Sequence, residues 1–368
     1  MYAAENIQKA TPLTKYSMWH SWKDVSSEEM KASFGVILNM ALNLKAKLVD
    51  YFTEDWLDRT PFFKDVFSRL HFLQIFWMLH LVPPVAAQGS APTRGSKVKN
   101  VSEYIDNKSK ELYVPGRNVA IDESTVGFKG RIQFKCYNPK KPAKWGLRIF
   151  WLCDSENGYV FSHIPFYGKT TTESLIRPDL PFTSRTVIHL AQDLQTHTGG
   201  SGYHIYTDRF YTRPQLAREL HEMKIHITGT VMASRKDFPS DLKKKKLREY
   251  ELCAYQCDMQ MMCLSFHDKR FVTMLSTFFG PQTHLITGYR KKQLVQFEKP
   301  TVILEYTEFM GGVDRADQYC GCYGFTRRSY KWWKKLFFWL MEVAVVNSYI
   351  LYSLDKKESG GKLQTRLS

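Results

Sequence analysis

Three short segments that contain aspartates, two of them at the ends of strand-like runs, constrain the fold of this chain more than any other feature. A carboxylate at the end of a buried strand is costly unless a cation or hydrogen bonds compensate its charge. We therefore expect the fold to bring Asp122, Asp208 and Asp314 together, with Asp317 on the same helical face as Asp314. The segments are Val-Ala-Ile-Asp-Glu-Ser at 119–124, Ile-Tyr-Thr-Asp-Arg-Phe at 205–210 and Met-Gly-Gly-Val-Asp-Arg-Ala-Asp-Gln-Tyr at 310–319.

The first third of the chain shows helical signals. Ser26 and Glu29 have the spacing of a capping box, and apolar residues then recur at helical spacing. Thr60 precedes Pro61, which favours a helix start. Residues 85–97 are small, polar and rich in Pro and Gly, which is typical of an exposed linker. We predict an all-helical region before the strands begin.

From residue 118, strand patterns replace helical ones. Three apolar or alternating runs separated by turn residues predict an antiparallel meander. Two further strands follow, each after a predicted helix, which favours a mixed five-stranded sheet with helices packed on it, an α/β (α+β) fold. The pattern loosens at 235–300, which we interpret as an insertion. The predicted strands lie at 119–123, 147–153, 159–162, 205–208 and 225–231.

The charge balance favours a polyanionic partner. The chain carries 52 Lys and Arg against 36 Asp and Glu, a net charge of +16. Such an excess suits nucleic acid, although a merely basic protein fits the same count. The loop at 131–145 interleaves cations with aromatic residues, which suits phosphates and unstacked bases. A solvated charged loop with partly buried rings is the alternative. Its predicted DNA-binding residues are Arg131, Lys135, Lys140, Lys141 and Lys144.

Two other basic segments have alternative interpretations. The segment before the last apolar helix places Arg327, Arg328 and Lys331 beside Trp332. These four residues are predicted to hold a phosphate and stack on a base, unless the ring belongs to the core. The lysine run at 243–246 suits a nuclear address or a DNA contact, and equally a solvated surface loop.

Cysteine usage and hydropathy exclude several classes of protein. Seven irregularly spaced cysteines without any Cys-x-x-Cys pair argue against a disulfide framework and against a structural zinc site. The most apolar segment, at 336–354, contains Glu342 and Asn347. Both side chains are costly in lipid, so a buried core helix is favoured over a membrane span. We expect no zinc and no membrane partner.

Carboxylates without nearby Cys or His select hard cations, so Mg²⁺ or Mn²⁺ is the expected cofactor. Two such ions bridged by a shared aspartate activate the attacking oxygen and stabilise the leaving oxygen in phosphodiester displacement. Gly311 and Gly312 precede the last two aspartates and allow the backbone to approach the sheet closely. Considered alone, each aspartate fits a helix cap or a surface salt bridge at least as well.

Five motifs in the same order resemble the transposase family of piggyBac elements, in particular its piggyBac-derived group, over about residues 1–353. The motifs are Val-Pro-Gly-Arg-Asn-Val-Ala-Ile-Asp-Glu-Ser at 114–124, Asn-Pro-Lys-Lys-Pro-Ala-Lys-Trp-Gly at 138–146, Thr-Asp-Arg-Phe-Tyr-Thr at 207–212, Gly-Thr-Val at 229–231 and Met-Gly-Gly-Val-Asp-Arg-Ala-Asp-Gln at 310–318.

The resemblance implies a ribonuclease-H-like catalytic core interrupted by an insertion domain and preceded by a helical region for dimerisation and DNA binding. It implies that Asp122, Asp208 and Asp314 are catalytic and bind metal, that Asp317 is a further catalytic residue, and that Trp332 lies near the bound transposon end. The expected domains are a helical region at 1–117, the core at 118–234 and 301–353, the insertion at 235–300 and a flexible tail at 354–368.

The function implied by this resemblance is that of a DDD-type DNA transposase, or a truncated derivative. It would cut transposon ends with two Mg²⁺ (or Mn²⁺) ions per active site, pass through hairpin ends and insert at TTAA sites, as a nuclear homodimer on DNA. The family usually adds a longer acidic N-terminal region and a Cys/His-rich zinc-binding domain, neither of which occurs within these 368 residues.

Two other functions are alternatives to the transposase. The first is a domesticated, catalytically silent DNA-binding protein that keeps the fold and the basic surface. The second is a carboxylate-pair glycoside hydrolase, which is disfavoured because the four aspartates lack a glutamate general acid and because the net charge is +16.

Overall fold

The structure, a computed structural model, describes residues 2–9, 12–82, 93–139, 141, 143–244, 246–257, 260–290, 293–322, 324 and 329–361. The chain forms two compact units. One combines Met1–Ser102 with Gly321–Glu342, and the other combines Glu103–Cys320 with Val343–Leu363. The predicted division into a helical region, a split core, an insertion and a tail stays a prediction.

The first unit is built from helices around an apolar core. The predicted capping box is confirmed: Ser26 Oγ accepts a hydrogen bond from Glu29 N at 3.1 Å, and Glu29 Oε2 accepts one from Ser26 N at 3.0 Å. In the core, the rings of Tyr51 and Phe63 pack edge to face, with centroids 4.8 Å apart. The helices are α1 (Tyr2–Lys9), α2 (Ser27–Leu42), α3 (Pro61–Val66), α4 (Arg69–Met78) and α5 (Lys99–Leu112), and α5 continues into the second unit.

The second unit is organised around a mixed sheet. Its first six strands are β1 (Asn118–Gly127), β2 (Cys136–Tyr137), β3 (Trp145–Asp154), β4 (Val160–Pro165), β5 (His204–Thr207) and β6 (His226–Thr230). β3 pairs antiparallel with β1, β2 and β4, whereas β5 pairs parallel with β1 and β6. The predicted three-stranded meander and the two later strands are therefore confirmed, in the predicted mixed arrangement.

Three helices connect the strands of this sheet. They are α6 (Lys169–Ser174), α7 (Phe182–Thr198) and α8 (Pro214–Glu222). α7 buries Val187, Leu190 and Leu194. It ends at Gly199, whose φ of 61° is left-handed and favours glycine. α8 begins at Pro214, as predicted, because proline is well tolerated in the first turn of a helix.

The predicted insertion widens the sheet. Its elements are α9 (Ser240–Lys244), β7 (Leu252–Gln256), β8 (Met262–His267), β9 (Phe271–Ser276), β10 (Thr283–Arg290) and β11 (Gln293–Pro300). β9 pairs antiparallel with β6, and β8 and β7 follow, while β10 and β11 form a separate two-stranded sheet. The sheet exceeds the five predicted strands because the outer edge of β6 offers unpaired backbone groups that another strand can satisfy.

Three helices follow the insertion: α10 (Thr301–Phe309), α11 (Gly312–Cys322) and α12 (Trp332–Glu358). Asn347 of α12 is buried, and its side chain bonds both the N–H of Val160 at 3.0 Å and the C=O of Val160 at 2.8 Å. The polar residue that argued against a membrane span is therefore a partner of β4. Among the described helices, α12 alone is long and apolar enough to cross a membrane, and just over half of its most apolar stretch is buried in the protein.

Candidate active site

Asp122 and Asp208 follow the last paired residues of two adjacent parallel strands. The register between β1 and β5 ends with Ile121 opposite Thr207, so the next residue on each strand is an aspartate. Gly229 of β6 packs closely on this strand end, since a Cβ there would lie 2.3 Å from Thr207 O. Strand pairing therefore places the two predicted aspartates side by side.

A third carboxylate, Glu123, lies beside these two aspartates. It follows Asp122 on β1, beyond the last residue that pairs with β5. Its Oε2 accepts a hydrogen bond from the hydroxyl of Tyr211 at 2.9 Å, and Tyr211 is fully buried. The negative charge of Glu123 acts on both Asp122 and Asp208. The strand ends thus gather three acidic side chains.

α11 brings Asp317 onto β1. Gly312 packs against the sheet, because a Cβ there would lie 2.9 Å from Asp154 O, whereas Gly311 has no such neighbour within 4 Å. The predicted need for a glycine is therefore confirmed at Gly312 and not at Gly311. Ser124 Oγ donates a hydrogen bond to Asp317 Oδ1, which ties the helix to β1 and leaves Asp317 half-buried.

Asp314 is exposed in the first turn of α11 but shares its surroundings with the strand aspartates. The common neighbour is Tyr306 of α10. Burial, together with the negative charges of Asp208, Asp122 and Asp314, raises the pKa of Tyr306 to about 12. The Tyr306 hydroxyl also lies 3.5 Å from Thr230 Oγ1. The charges of Asp122, Asp208 and Asp314 therefore all act on one tyrosine.

Burial and repulsion raise the pKa values of these carboxyl groups. Burial first, and then the charges of Glu123 and Asp208, raise the pKa of Asp122 to about 8. Burial is also the main cause of the raised pKa of Asp208. Burial raises the pKa of Asp317, whereas the hydrogen bond from Ser124 lowers it. Protons or cations that neutralise negative charge therefore stabilise the site.

The donor set fits a hard divalent cation. Asp122, Glu123 and Asp208 supply only carboxylate oxygens, the ligands that Mg²⁺ and Mn²⁺ prefer. A bound cation would also offset the repulsion that raises the pKa of Asp122. In the described part of the chain, however, no group of three or more His, Cys, Asp and Glu side chains converges closely enough to hold a metal ion. The predicted ligand set stays a prediction.

Lys141 lies at the carboxylates rather than free on the surface. Its Nζ donates a hydrogen bond to the main-chain O of Glu123 at 2.6 Å. Its positive charge also favours the ionised form of Asp317 and so opposes the rise in the pKa of that group. The structure thus connects this predicted DNA-binding residue to β1.

The other described residues of the basic loop form a more exposed surface. The rings of Tyr137 and Trp145 are about half exposed, with centroids 4.5 Å apart. Lys135 Nζ lies 4.8 Å from the centroid of Trp145. Arg131 and Lys144 are exposed. The predicted combination of cations and accessible rings is therefore present, whereas Lys140 lies outside the described residues.

The second predicted DNA-binding segment begins α12 in the first unit. Lys331 is exposed and Trp332 is half-buried. Arg327 and Arg328 lie outside the described residues. The DNA contacts assigned to these four residues stay predictions.

Glu123, Tyr211, Ser124 and Tyr306 are site residues that we did not single out in the sequence. Glu123 and Ser124 lie in the motif at 119–124 and Tyr211 in the motif at 207–212, so their position within the motifs is the signal that could have found them. Tyr306 had no such signal, because only tertiary packing places α10 beside the strand ends.

A family model described as Transposase IS4 matches residues 2–349. The fold is similar to that in the cryo-EM structure of a piggyBac transposase synaptic complex with hairpin DNA. That similarity has a TM-score of 0.83 at 24% sequence identity, and it covers 100% of this chain and 73% of that one. The predicted ribonuclease-H-like architecture is thereby confirmed.

Two human relatives match in sequence. PiggyBac transposable element-derived protein 3 is 28% identical over 274 residues, which is 71% of this chain and 45% of that protein. PiggyBac transposable element-derived protein 2 is 27% identical over 243 residues, 63% of this chain and 40% of that protein. The chain thus spans less than half the length of these relatives.

Proposed function

Because the chain belongs to the piggyBac-type transposase family, we propose that it is a metal-dependent DNA transposase, or a derivative of one. It would cut and join DNA at transposon ends. The observation that carries this proposal is the register that ends at Ile121 and Thr207 and leaves Asp122 and Asp208 adjacent. Carboxylates so placed at the ends of two adjacent central strands suit phosphodiester chemistry.

The proposed roles follow from the surroundings of each carboxylate. Asp122, Asp208 and Asp314 would hold two Mg²⁺ or Mn²⁺ ions, which when bound activate the attacking oxygen and stabilise the leaving oxygen. Asp317 is half-buried and bonded to Ser124. It would fix the orientation of α11, and with it the position of Asp314.

DNA would reach this site along the basic loop. Exposed Arg131 and Lys144 would contact phosphates, and Tyr137 with Trp145 would stack on unpaired bases. The family resemblance extends the proposal to TTAA target sites, a homodimer and a nuclear location. Sequencing of insertion junctions, light scattering of the purified protein and imaging of a tagged chain test these three points separately.

Asp208→Asn tests the proposed chemistry. We expect the wild type to nick a supercoiled plasmid that carries piggyBac transposon ends in the presence of Mn²⁺. The variant should lose more than about 100-fold in rate, because second-shell changes alone cost 10- to 100-fold. The control is Asp355→Asn on exposed α12 surface, which should nick like the wild type. Equal rates for wild type and Asp208→Asn would contradict the assignment.

A catalytically silent DNA-binding derivative is the second candidate function. Exposed Asp314 and the absence of a converged metal group within the described ranges favour it. That protein would bind duplex DNA with a steep salt dependence and show no Mn²⁺-dependent nicking at any protein concentration. The plasmid assay therefore separates the two functions.

A further inference from the structure

Tyr211 presents a buried hydroxyl to the acidic strand ends. The side chain is fully buried, and its hydroxyl lies 2.9 Å from Glu123 Oε2. Burial, followed by the charges of Glu123, Asp122 and Asp208, raises the pKa of Tyr211 well above its usual value. A tyrosine hydroxyl donates and a carboxylate accepts, so Tyr211 is the donor of this hydrogen bond and Glu123 the acceptor.

The ring of Tyr211 is held from two sides. It packs edge to face against Phe210, with centroids 5.0 Å apart, and against Phe150, with centroids 6.4 Å apart. Its backbone N also donates to Asp208 O at 3.2 Å, so Tyr211 belongs to the turn that carries Asp208. Because the hydroxyl is held in a fixed position, its hydrogen bond sets the position of the Glu123 carboxylate.

Glu123 needs such a partner because its part of β1 has no neighbour in β5. The register between these strands ends at Ile121. The carboxylate is nevertheless connected to both aspartates, because Glu123 follows Asp122 on β1 and accepts from Tyr211, whose backbone N bonds Asp208 O. If the Glu123 side chain were flexible, the distances between the three carboxylates at these strand ends would vary.

We propose that Tyr211 is a positioning residue of the carboxylate cluster: its buried hydroxyl holds Glu123, the neighbour of Asp122 on β1, against the turn that carries Asp208, so that the three carboxylates keep one arrangement. The inference rests on the proposed function insofar as this cluster is the cation site. It adds Glu123 to the predicted aspartates and assigns Tyr211 a role beyond core packing.

A matched control separates positioning from packing. Tyr159 is also buried, and its hydroxyl donates to Ser109 O at the same distance, 2.9 Å. Tyr159→Phe removes one buried hydrogen bond of equal length without touching the cluster. Both tyrosine variants should therefore lose similar thermal stability, and only Tyr211→Phe should alter cation binding.

The experiment titrates the purified full chain with Mn²⁺ and measures free Mn²⁺ by electron paramagnetic resonance. We expect Tyr211→Phe to weaken binding about tenfold, the lower end of the effect of second-shell partners, and Tyr159→Phe to bind like the wild type. Glu123→Gln should also weaken binding. The Glu123→Gln/Tyr211→Phe double variant should match Glu123→Gln within about twofold, because the hydroxyl acts through Glu123.

Three results would overturn the inference: unchanged binding by Tyr211→Phe, equal losses in both tyrosine variants, or a wild type that binds no Mn²⁺. Plasmid nicking is measured in parallel. Weaker Mn²⁺ binding by Tyr211→Phe without nicking by any variant supports the positioning role and contradicts the transposase activity. Nicking by the wild type together with unchanged Mn²⁺ binding by Tyr211→Phe supports the transposase activity and contradicts the positioning role.

Discussion

Asp122 is a carboxyl group held largely buried beside two other acidic side chains. Burial, with the charges of Glu123 and Asp208, raises its pKa to about 8, against about 3.9 in an unfolded chain. A folded-state pKa above the unfolded value means that the folded protein binds the extra proton. The resulting stabilisation is fully present below about pH 4 and is lost as the pH rises through 8.

Asp122→Asn should therefore stabilise the metal-free protein at high pH. We expect the free energy of unfolding of the variant to exceed that of the wild type by at least about 1.4 kcal/mol at pH 8.5, the equivalent of one pKa unit. The difference should shrink towards pH 5. Urea denaturation in EDTA at both pH values measures it. Asp355→Asn, on an exposed carboxyl, should show no such difference, and parallel pH profiles for Asp122→Asn and wild type would contradict the expectation.

At the scale of elements, α12 completes the hydrogen bonding of β4. Asn347 bonds the N–H and the C=O of Val160, and its Nδ2 also lies 3.0 Å from Ser109 Oγ. An amide side chain at this position acts as a short substitute for a neighbouring strand. Since a buried backbone group left unpaired costs about 1–3 kcal/mol, this one residue links helix and sheet.

Asn347→Leu should lower the free energy of unfolding by about 1–3 kcal/mol, because a leucine side chain cannot form hydrogen bonds with the backbone of Val160. Chemical denaturation measures the loss. Ser348→Ala is the control, since Ser348 is the exposed neighbour and bonds only Ala344 O of its own helix. A leucine variant as stable as the wild type would show that the pairing with Val160 adds nothing.

The loop between β1 and β3 combines two kinds of lysine. Lys141 bonds the main chain of Glu123, whereas Lys144 is exposed. Lys141→Met should reduce plasmid nicking at saturating DNA and leave DNA affinity nearly unchanged, because its contact is with β1, which carries the proposed catalytic Asp122. Lys144→Met should weaken DNA binding and leave nicking at saturating DNA unchanged. The reverse pattern in binding and nicking assays would restore Lys141 as a phosphate contact.

At the scale of the whole molecule, the net charge of +16 favours association with DNA. Arg131 and Lys144 are exposed cations of the loop that also exposes the rings of Tyr137 and Trp145. Removing one phosphate contact should reduce the slope of log affinity against log salt by about one. We therefore expect a slope lower by about two in Arg131→Ala/Lys144→Ala, measured by fluorescence anisotropy with duplex DNA. Lys357→Ala, on the exposed end of α12, should leave the slope unchanged, and an unchanged slope in the double variant would exclude the loop from the interface.

Sequence patterns predicted the elements well where the cause is local. The capping box of Ser26 and Glu29 and the meander of β1, β3 and β4 depend on residues that are neighbours along the chain. The widening of the sheet by the insertion was not predicted. Which strand pairs with the insertion depends on which strand of the folded sheet has an unpaired edge, and hydrophobic periodicity contains no information about that.

The sequence by itself determined that Asp122 and Asp208 end strand-like segments, that the last apolar segment contains the amide of Asn347, and that the chain is strongly basic, because these are properties of neighbouring residues and of composition. Only the tertiary structure decided that Asp122 and Asp208 are adjacent, that Tyr211 donates a hydrogen bond to Glu123, and that Lys141 bonds the main chain of β1. The physical reason is that contacts between distant residues depend on strand register and packing, which residue types alone do not specify.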